Sequence, residues 1–248
     1  MSDERRPTAE GAAAAAPFEP IDDFAPFGVR AFTTTRAAGS FSTAGDEPVG
    51  VVTARWTELR RALSRDGRQA PRFATAAQVH GSRVVVHGTG WEGWLRVDGA
   101  DGHAALERGT AMAVTIADCV PVFIAHPSGA IALLHSGWRG TAGRIVERGI
   151  DALAHRGVPP HELHVHLGPA ICGRCYEVSA DVYGQLTGRA TSGPTTVDLR
   201  ALIADHAHAA GVRHIAVSPF CTRCDNDRFY SHRAGDAGRQ LGVMIAEQ

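Results

Sequence analysis

The stretch Thr115–Gly140, TIADCVPVFIAHPSGAIALLHSGWRG, does most to restrict the fold of this chain. Two branched, apolar runs, Val120–Ala125 and Ala130–Leu134, are joined only by His126-Pro127-Ser128-Gly129. A Pro- and Gly-containing polar break between such runs specifies a β-hairpin. Cys119 stands just before the first run and His135 just after the second. Folding the ribbon about Pro127 sets Cys119 opposite His135. Directly opposed residues of an antiparallel pair hold their Cβ atoms ~4.5–5.5 Å apart. A thiolate and an imidazole at that spacing can share one zinc ion, at ~2.3 and ~2.0 Å. A slip of one residue would send one of them to the other face. Two ligands do not complete a site. A catalytic zinc takes three ligands from the protein and keeps a fourth position open. His80 is the best third candidate, because it ends a strand-like run and Gly81 lets the backbone turn after it. His87, His103, His126, His164 and His166 compete for that role.

Around the hairpin, strands are expected at Val29–Thr34, Phe73–Val79, Val84–His87, Ala111–Ile116, His164–Leu167 and Ile215–Val217. Helices are expected at Val51–Leu63, Thr141–His155, Val178–Leu186 and Asp198–Ala210, with apolar residues at helical spacing. Gly137-Trp138-Arg139-Gly140 reads as a loop opening the second helix, with backbone N–H groups free for an anion. Helices and strands are intermixed and there is no domain linker. The expectation is therefore an α+β single domain with a mixed β-sheet and flanking helices. Residues 1–18 are charged, then Ala-rich, and are expected to be a disordered segment ahead of a catalytic domain at 19–248, with structure starting near Phe27.

The formal net charge of −1 gives no footing for nucleic acid as a partner. No apolar stretch approaches the ~20 residues of a membrane span, and no secretory leader is evident. A cytoplasmic location is expected, where cysteines are thiols or ligands rather than disulfides. Of the five cysteines, four form C-x-x-C pairs, Cys172 with Cys175 and Cys221 with Cys224. They either make a four-cysteine structural zinc site or lie in neighbouring loops as free thiols. Their long separation weighs toward the second reading.

QVHG at 78–81, ADC at 117–119, HSGWRG at 135–140, LGPAIC and CYEV within 167–178, and DRFYSHR at 227–233 occur in order along the chain. The chain resembles the YfiH family, whose members are labelled laccase-domain, polyphenol oxidase or purine nucleoside phosphorylase. The resemblance runs from about Gln78 to Gly242. It implies a zinc ion held by His80, Cys119 and His135, with copper the less favoured metal, and an α+β fold related to some cysteine hydrolases. It also implies phosphorolysis of adenosine, inosine, guanosine and S-methyl-5′-thioadenosine to the base and a ribose 1-phosphate, with adenosine deamination alongside. Such a site must bind phosphate near C1′, stabilise a cationic sugar and polarise the base. Zinc can serve as a Lewis acid or bring the pKa of bound water to ~7. Attack of that hydroxide on C6 would account for deamination. The chain departs from the family pattern at Phe41–Asp46, where the usual Ser-Leu-Asn loop is missing, and at Arg233-Ala234, where a second arginine is usual.

Arg36, Arg139 and Arg233 are candidate phosphate or substrate contacts, since guanidinium forks match phosphate oxygens. Gln78 joins them as a substrate contact. Asp118 is a candidate to orient a ligand or carry a proton, or else it caps a turn. Purine nucleosides and phosphate are the expected partners of a monomer or homodimer. Three rivals stand beside this reading. A copper polyphenol oxidase would want more H-x-H pairs and an axial ligand such as Met. A metal-free hydrolase would use Cys119 as nucleophile and His135 as base. A non-enzymatic zinc module would be built on the C-x-x-C pairs.

Overall fold

The computed structural model describes residues 16–63 and 72–248. In chain order the elements are β1 (Phe18–Pro20), β2 (Val29–Thr34), α1 (Val49–Ala62), β3 (Arg72–Ala77), β4 (Val84–His87), β5 (Gly93–Asp98), β6 (Gly102–Ala105), β7 (Thr110–Ile116), β8 (Val120–Ala125) and β9 (Ile131–Ser136). They continue with α2 (Trp138–Ala142), α3 (Ile145–Ala154), β10 (His164–Leu167), β11 (Glu177–Val178), α4 (Ala180–Thr187), β12 (Thr195–Thr196), α5 (Leu199–Ala209), β13 (His214–Val217) and β14 (Gln240–Ala246). The strands build two six-stranded mixed sheets, ordered β1-β2-β14-β7-β3-β5 and β13-β10-β8-β9-β6-β4, and a small β11-β12 pair.

Successive side chains of a strand point to opposite faces, and here both faces are buried. Met112, Val114, Phe123, Leu133 and Met244 fill the space between the two sheets. Their neighbours Ala111, Ala113, Leu241, Val243 and Ile245 pack outward against Val52 and Trp56 of α1. On the other sheet, Val122, Ile124, Ala132 and Leu134 meet Ile145, Ile150 and Leu153 of α3 and Ile203 of α5. The architecture is α+β, four layers deep, as helix, sheet, sheet, helix. The unbroken apolar runs of β8 and β9 follow from this. A strand covered by a sheet on one side and a helix on the other has no solvent face to alternate with.

The structure corrects the expected register of the hairpin. Pro121 pairs with His135 and Val120 with Ser136. The turn is pinned by the His126 N–H donating to the Ala130 carbonyl and the Gly129 N–H to that of His126, each at 2.9 Å. Cys119 therefore lies across from Gly137, two residues along from His135. A shift of two preserves the face, so the thiol and the imidazole still point the same way. The expected helix from Thr141 to His155 is two helices, broken at Arg144, whose φ is +59°. The sequence GWRG is helical rather than loop, with Gly137 as the N-cap of α2. Ordered structure also precedes Phe27, as β1 and a 3-10 helix at Asp22–Phe27. The remainder of the expected disordered segment, residues 1–15, lies outside the described residues.

Candidate metal and substrate site

Three connections cross from one sheet to the other at the same end of the sandwich. One links β3 to β4 and carries His80, one links β5 to β6 and carries Asp101, and one links β7 to β8 and carries Asp118 and Cys119. Because β3 and β7 are parallel neighbours, their C-terminal ends emerge side by side. His135 and Gly137 arrive there at the end of β9. These ends line a cleft of about 810 Å³, with Tyr176, Arg139, Arg233 and Arg239 around it.

At the floor of the cleft, one donor atom each from His80, Cys119 and His135 lies within 4.8 Å of the others. The two imidazole rings meet edge to face, with centroids 4.8 Å apart. His135 is 2% exposed, while His80 opens to the cleft. His135 Nδ1 is hydrogen-bonded to the Asp101 carboxylate at 2.9 Å, which leaves Nε2 for a ligand. Gly137 supplies the room these groups need. A Cβ there would sit 2.9 Å from Cys119 Sγ and 3.3 Å from a His80 ring carbon. Two of the three non-glycine residues with positive φ among the described residues are site residues, His80 at +60° and Asp118 at +79°. Such conformations cost ~1–2 kcal/mol per residue and recur at functional sites.

Without a metal, the site forms an ion pair. Burial pushes the Cys119 thiol up, but the charge of His135 and hydrogen bonds from His135 and His80 outweigh it and bring its pKa to about 6. Burial pushes His135 down, but the Cys119 thiolate and then the Asp101 carboxylate raise it to about 9. Asp101 is fully buried. Beyond His135, its carboxylate accepts the backbone N–H groups of Val79 at 3.2 Å, His80 at 2.9 Å and Gly81 at 2.7 Å. One side chain thus fixes both a ligand of β9 and the loop that presents His80. Sequence reading missed it. Its only signal was an acidic residue in a Gly-rich turn, which reads equally well as a turn former.

The other expected residues divide into two groups. Arg139 is exposed and lines the cleft, its guanidinium 4.4 Å above the Trp138 ring. Arg233 also lines it, 4.8 Å over the Tyr176 ring and donating to the Glu177 carbonyl at 2.9 Å. Gln78 lines the wall, but its amide is committed to the backbone and hydroxyl of Thr115. Asp118 also lines the cleft, and its carboxylate accepts Thr222 Oγ1 at 2.6 Å and the Arg233 N–H at 2.7 Å. It ties three loops together. Arg36 is the clear correction. It does not line the cleft; its guanidinium is ion-paired with Asp236, lies over the Tyr230 ring and donates to the Phe229 carbonyl. It is a structural pin.

The described residues hold a second cluster, in which the sulfur atoms of Cys172, Cys175, Cys221 and Cys224 lie within 4.8 Å of one another. The two C-x-x-C pairs, 49 residues apart, are brought together by the parallel pairing of β10 with β13.

A family profile described as multi-copper polyphenol oxidoreductase laccase matches residues 33–247. The chain belongs to this family. Its solved relatives include YlmD of Geobacillus stearothermophilus, with a TM-score of 0.81 at 29% identity over 90% of this chain and 94% of that one. The YfiH protein of Bacillus licheniformis shares the fold, with a TM-score of 0.84 at 22% identity over 95% and 97% of the two chains. A purine nucleoside phosphorylase of Streptomyces griseus is 32% identical over 81% of this chain and 83% of its own length. A purine nucleoside phosphorylase of Corynebacterium glutamicum is 33% identical over 87% and 94%. An adenosine deaminase, RL5, from an unknown prokaryotic organism is 31% identical over 87% and 90%. Fold and relatives together make the chain an enzyme of the YfiH family.

The expectation of zinc, with copper less favoured, is corrected. A second cluster of four thiols stands beside the His-Cys-His set. Thiolates are the ligands soft copper(I) selects, and imidazole suits copper equally. Neither donor set prefers zinc. No helix among the described residues is long and apolar enough to cross a membrane.

Proposed function

We propose that the chain is a purine nucleoside phosphorylase, cleaving purine nucleosides with phosphate at the cleft floored by His80, Cys119 and His135. One observation carries this reading. The cleft of about 810 Å³ joins those three donors to a wall bearing Arg139, Arg233 and Arg239. That volume is of the size that encloses small-molecule ligands. The guanidinium groups match the oxygens of phosphate, and Trp138 and Tyr176 offer flat apolar surface beneath two of them. The names of the Streptomyces and Corynebacterium relatives support the same class. Phosphorolysis makes a bond from a phosphate oxygen to C1′ as the bond from C1′ to the base breaks. The arginines hold the dianion against the anomeric carbon. Asp101 orients His135 and steadies the loop of His80 so that both face the substrate. A metal ion held by His80, Cys119 and His135 would supply Lewis acidity at the floor. Adenosine deamination, the activity in the name of the RL5 relative, would place C6 rather than C1′ against the same three groups. Inosine cleavage that requires phosphate and is lost in Arg139→Ala with Arg233→Ala tests the reading. Cleavage at equal rates without phosphate would sink it.

Two other readings each have an observation in their favour. The family description and the donor set of two imidazoles and one thiolate favour a copper phenol oxidase, since blue-copper sites use that set. Met112 and Met244 are both buried between the sheets, and neither lines the cleft. An intense visible band on copper loading, with oxygen-dependent phenol turnover, would establish this activity instead. The Cys119–His135 ion pair oriented by Asp101 is the arrangement of a cysteine hydrolase. Covalent trapping of Cys119 by an acyl substrate in metal-free protein would favour it.

A further inference from the structure

We propose that Cys172, Cys175, Cys221 and Cys224 form a second metal site, closed and tetrathiolate, that takes one thiophilic cation and staples together two loops adjoining the cleft wall. Four thiolates bonded at ~2.3 Å to one tetrahedral ion stand ~3.8 Å from one another. The four sulfur atoms already lie within 4.8 Å, and Cys175 and Cys224 are 3.5 Å apart. Two backbone N–H groups are aimed at one of these sulfur atoms. The N–H groups of Cys172 and Cys224 donate to Cys221 Sγ at 3.2 and 3.4 Å. Such donors stabilise a thiolate in the same way that they stabilise an oxyanion.

The loops are registered on each other before any ion arrives. Ala170 and Cys221 form a parallel β-bridge, and Arg223 donates to the Cys175 carbonyl at 3.2 Å. The pairs sit in short loops rather than across one flexible span, which is the ligand presentation of a structural site. Binding releases the thiol protons to solvent and involves no change of oxidation state. The chemistry is independent of the cleft floor, because none of its three donors is shared. Its effect reaches the cleft through adjacent residues: Tyr176 follows Cys175, and Thr222, next to Cys221, holds Asp118.

The test uses the whole chain, stripped of metal and reduced under anaerobic conditions, then loaded in separate arms with copper(I) and with cobalt(II) as a spectroscopic stand-in for a divalent ion. Bound metal is counted after desalting, and cysteine accessibility is read by alkylation and peptide mapping. The expected result is one ion per chain beyond any held at the cleft floor, an ion that survives in His80→Ala and is lost in Cys172→Ser with Cys224→Ser. In the cobalt arm, all-thiolate charge-transfer bands should disappear with it. Unsubstituted protein provides the check against misfolded variants: loading should protect all four cysteines from alkylation together. Equal metal content in the unsubstituted and doubly substituted chains, unprotected cysteines in loaded protein, or a Cys175–Cys224 disulfide that forms in place of metal uptake would overturn the proposal. Whichever arm loads identifies the class of ion.

Discussion

Replacing Asp101 by Asn keeps the shape of the side chain and removes its charge, so it isolates the contribution of that carboxylate. Oδ1 accepts from His80 N and His135 Nδ1, and Oδ2 from Val79 N and Gly81 N. An amide offers one oxygen. If it takes the Oδ1 place, two backbone donors of the 79–81 loop face an NH₂ group. If it takes the Oδ2 place, His135 must turn its tautomer over and carry its proton on Nε2, the nitrogen needed for a ligand. Each buried donor left unsatisfied costs ~1–3 kcal/mol, so two of them cost roughly 2–6 kcal/mol. For a chain of this size that corresponds to a fall in Tm of roughly 5–25 °C. Loss of the partner of a ligating histidine lowers metal affinity by ~10–100-fold. The assay is competition with a chelator of known affinity, run beside thermal unfolding. Metal affinity within twofold of the parent, with Tm unchanged, would refute the assignment of Asp101 as the group that positions both histidines.

Three further outcomes follow from the same geometry. In metal-free protein, alkylation of Cys119 should rise with pH around a midpoint near 6, since only the thiolate reacts; His135→Ala should move the midpoint upward, and an unmoved midpoint would break the ion-pair argument. Gly137→Ala should weaken metal binding, because its Cβ would stand 2.9 Å from Cys119 Sγ and overpacking costs ~1–3 kcal/mol; full affinity in a folded variant would contradict it. Burial pushes the Asp236 carboxyl up, but Arg36, the Ser231 N–H and Asn226 outweigh it and hold it at about 2. Its folded pKa lies below the ordinary 3.8 of an aspartate, so its stabilisation is present above that value and lost as pH falls toward 2. Acid unfolding of Arg36→Ala should therefore show a shallower loss of stability across that window than the parent.

The chain's own residue pattern determined the hairpin, the α+β class and most element positions. β2 begins and ends where its alternation of apolar residues predicts, and Asp198 caps α5 by accepting the N–H groups of Arg200 and Ala201. These are local matters, governed by side-chain period and capping. Short or weakly apolar strands were lost to sequence reading. β5 is an edge strand with four of its six residues exposed, and β6 is GHAA, whose place is set by Leu134 and Val84 crowding Gly102. Motifs nominated His80, Cys119 and His135, but their convergence depends on two sheet-to-sheet crossings, a register displaced by two and a glycine opposite the thiol. Arg36 and Arg139 were indistinguishable as residues of a linear chain. Only the fold decided that one is held in a half-buried ion pair and the other is open to the cleft. The reason is physical: periodicity records the neighbours a residue has within its own element, whereas a carboxylate such as Asp101 acquires its partners only when distant strands are packed end to end.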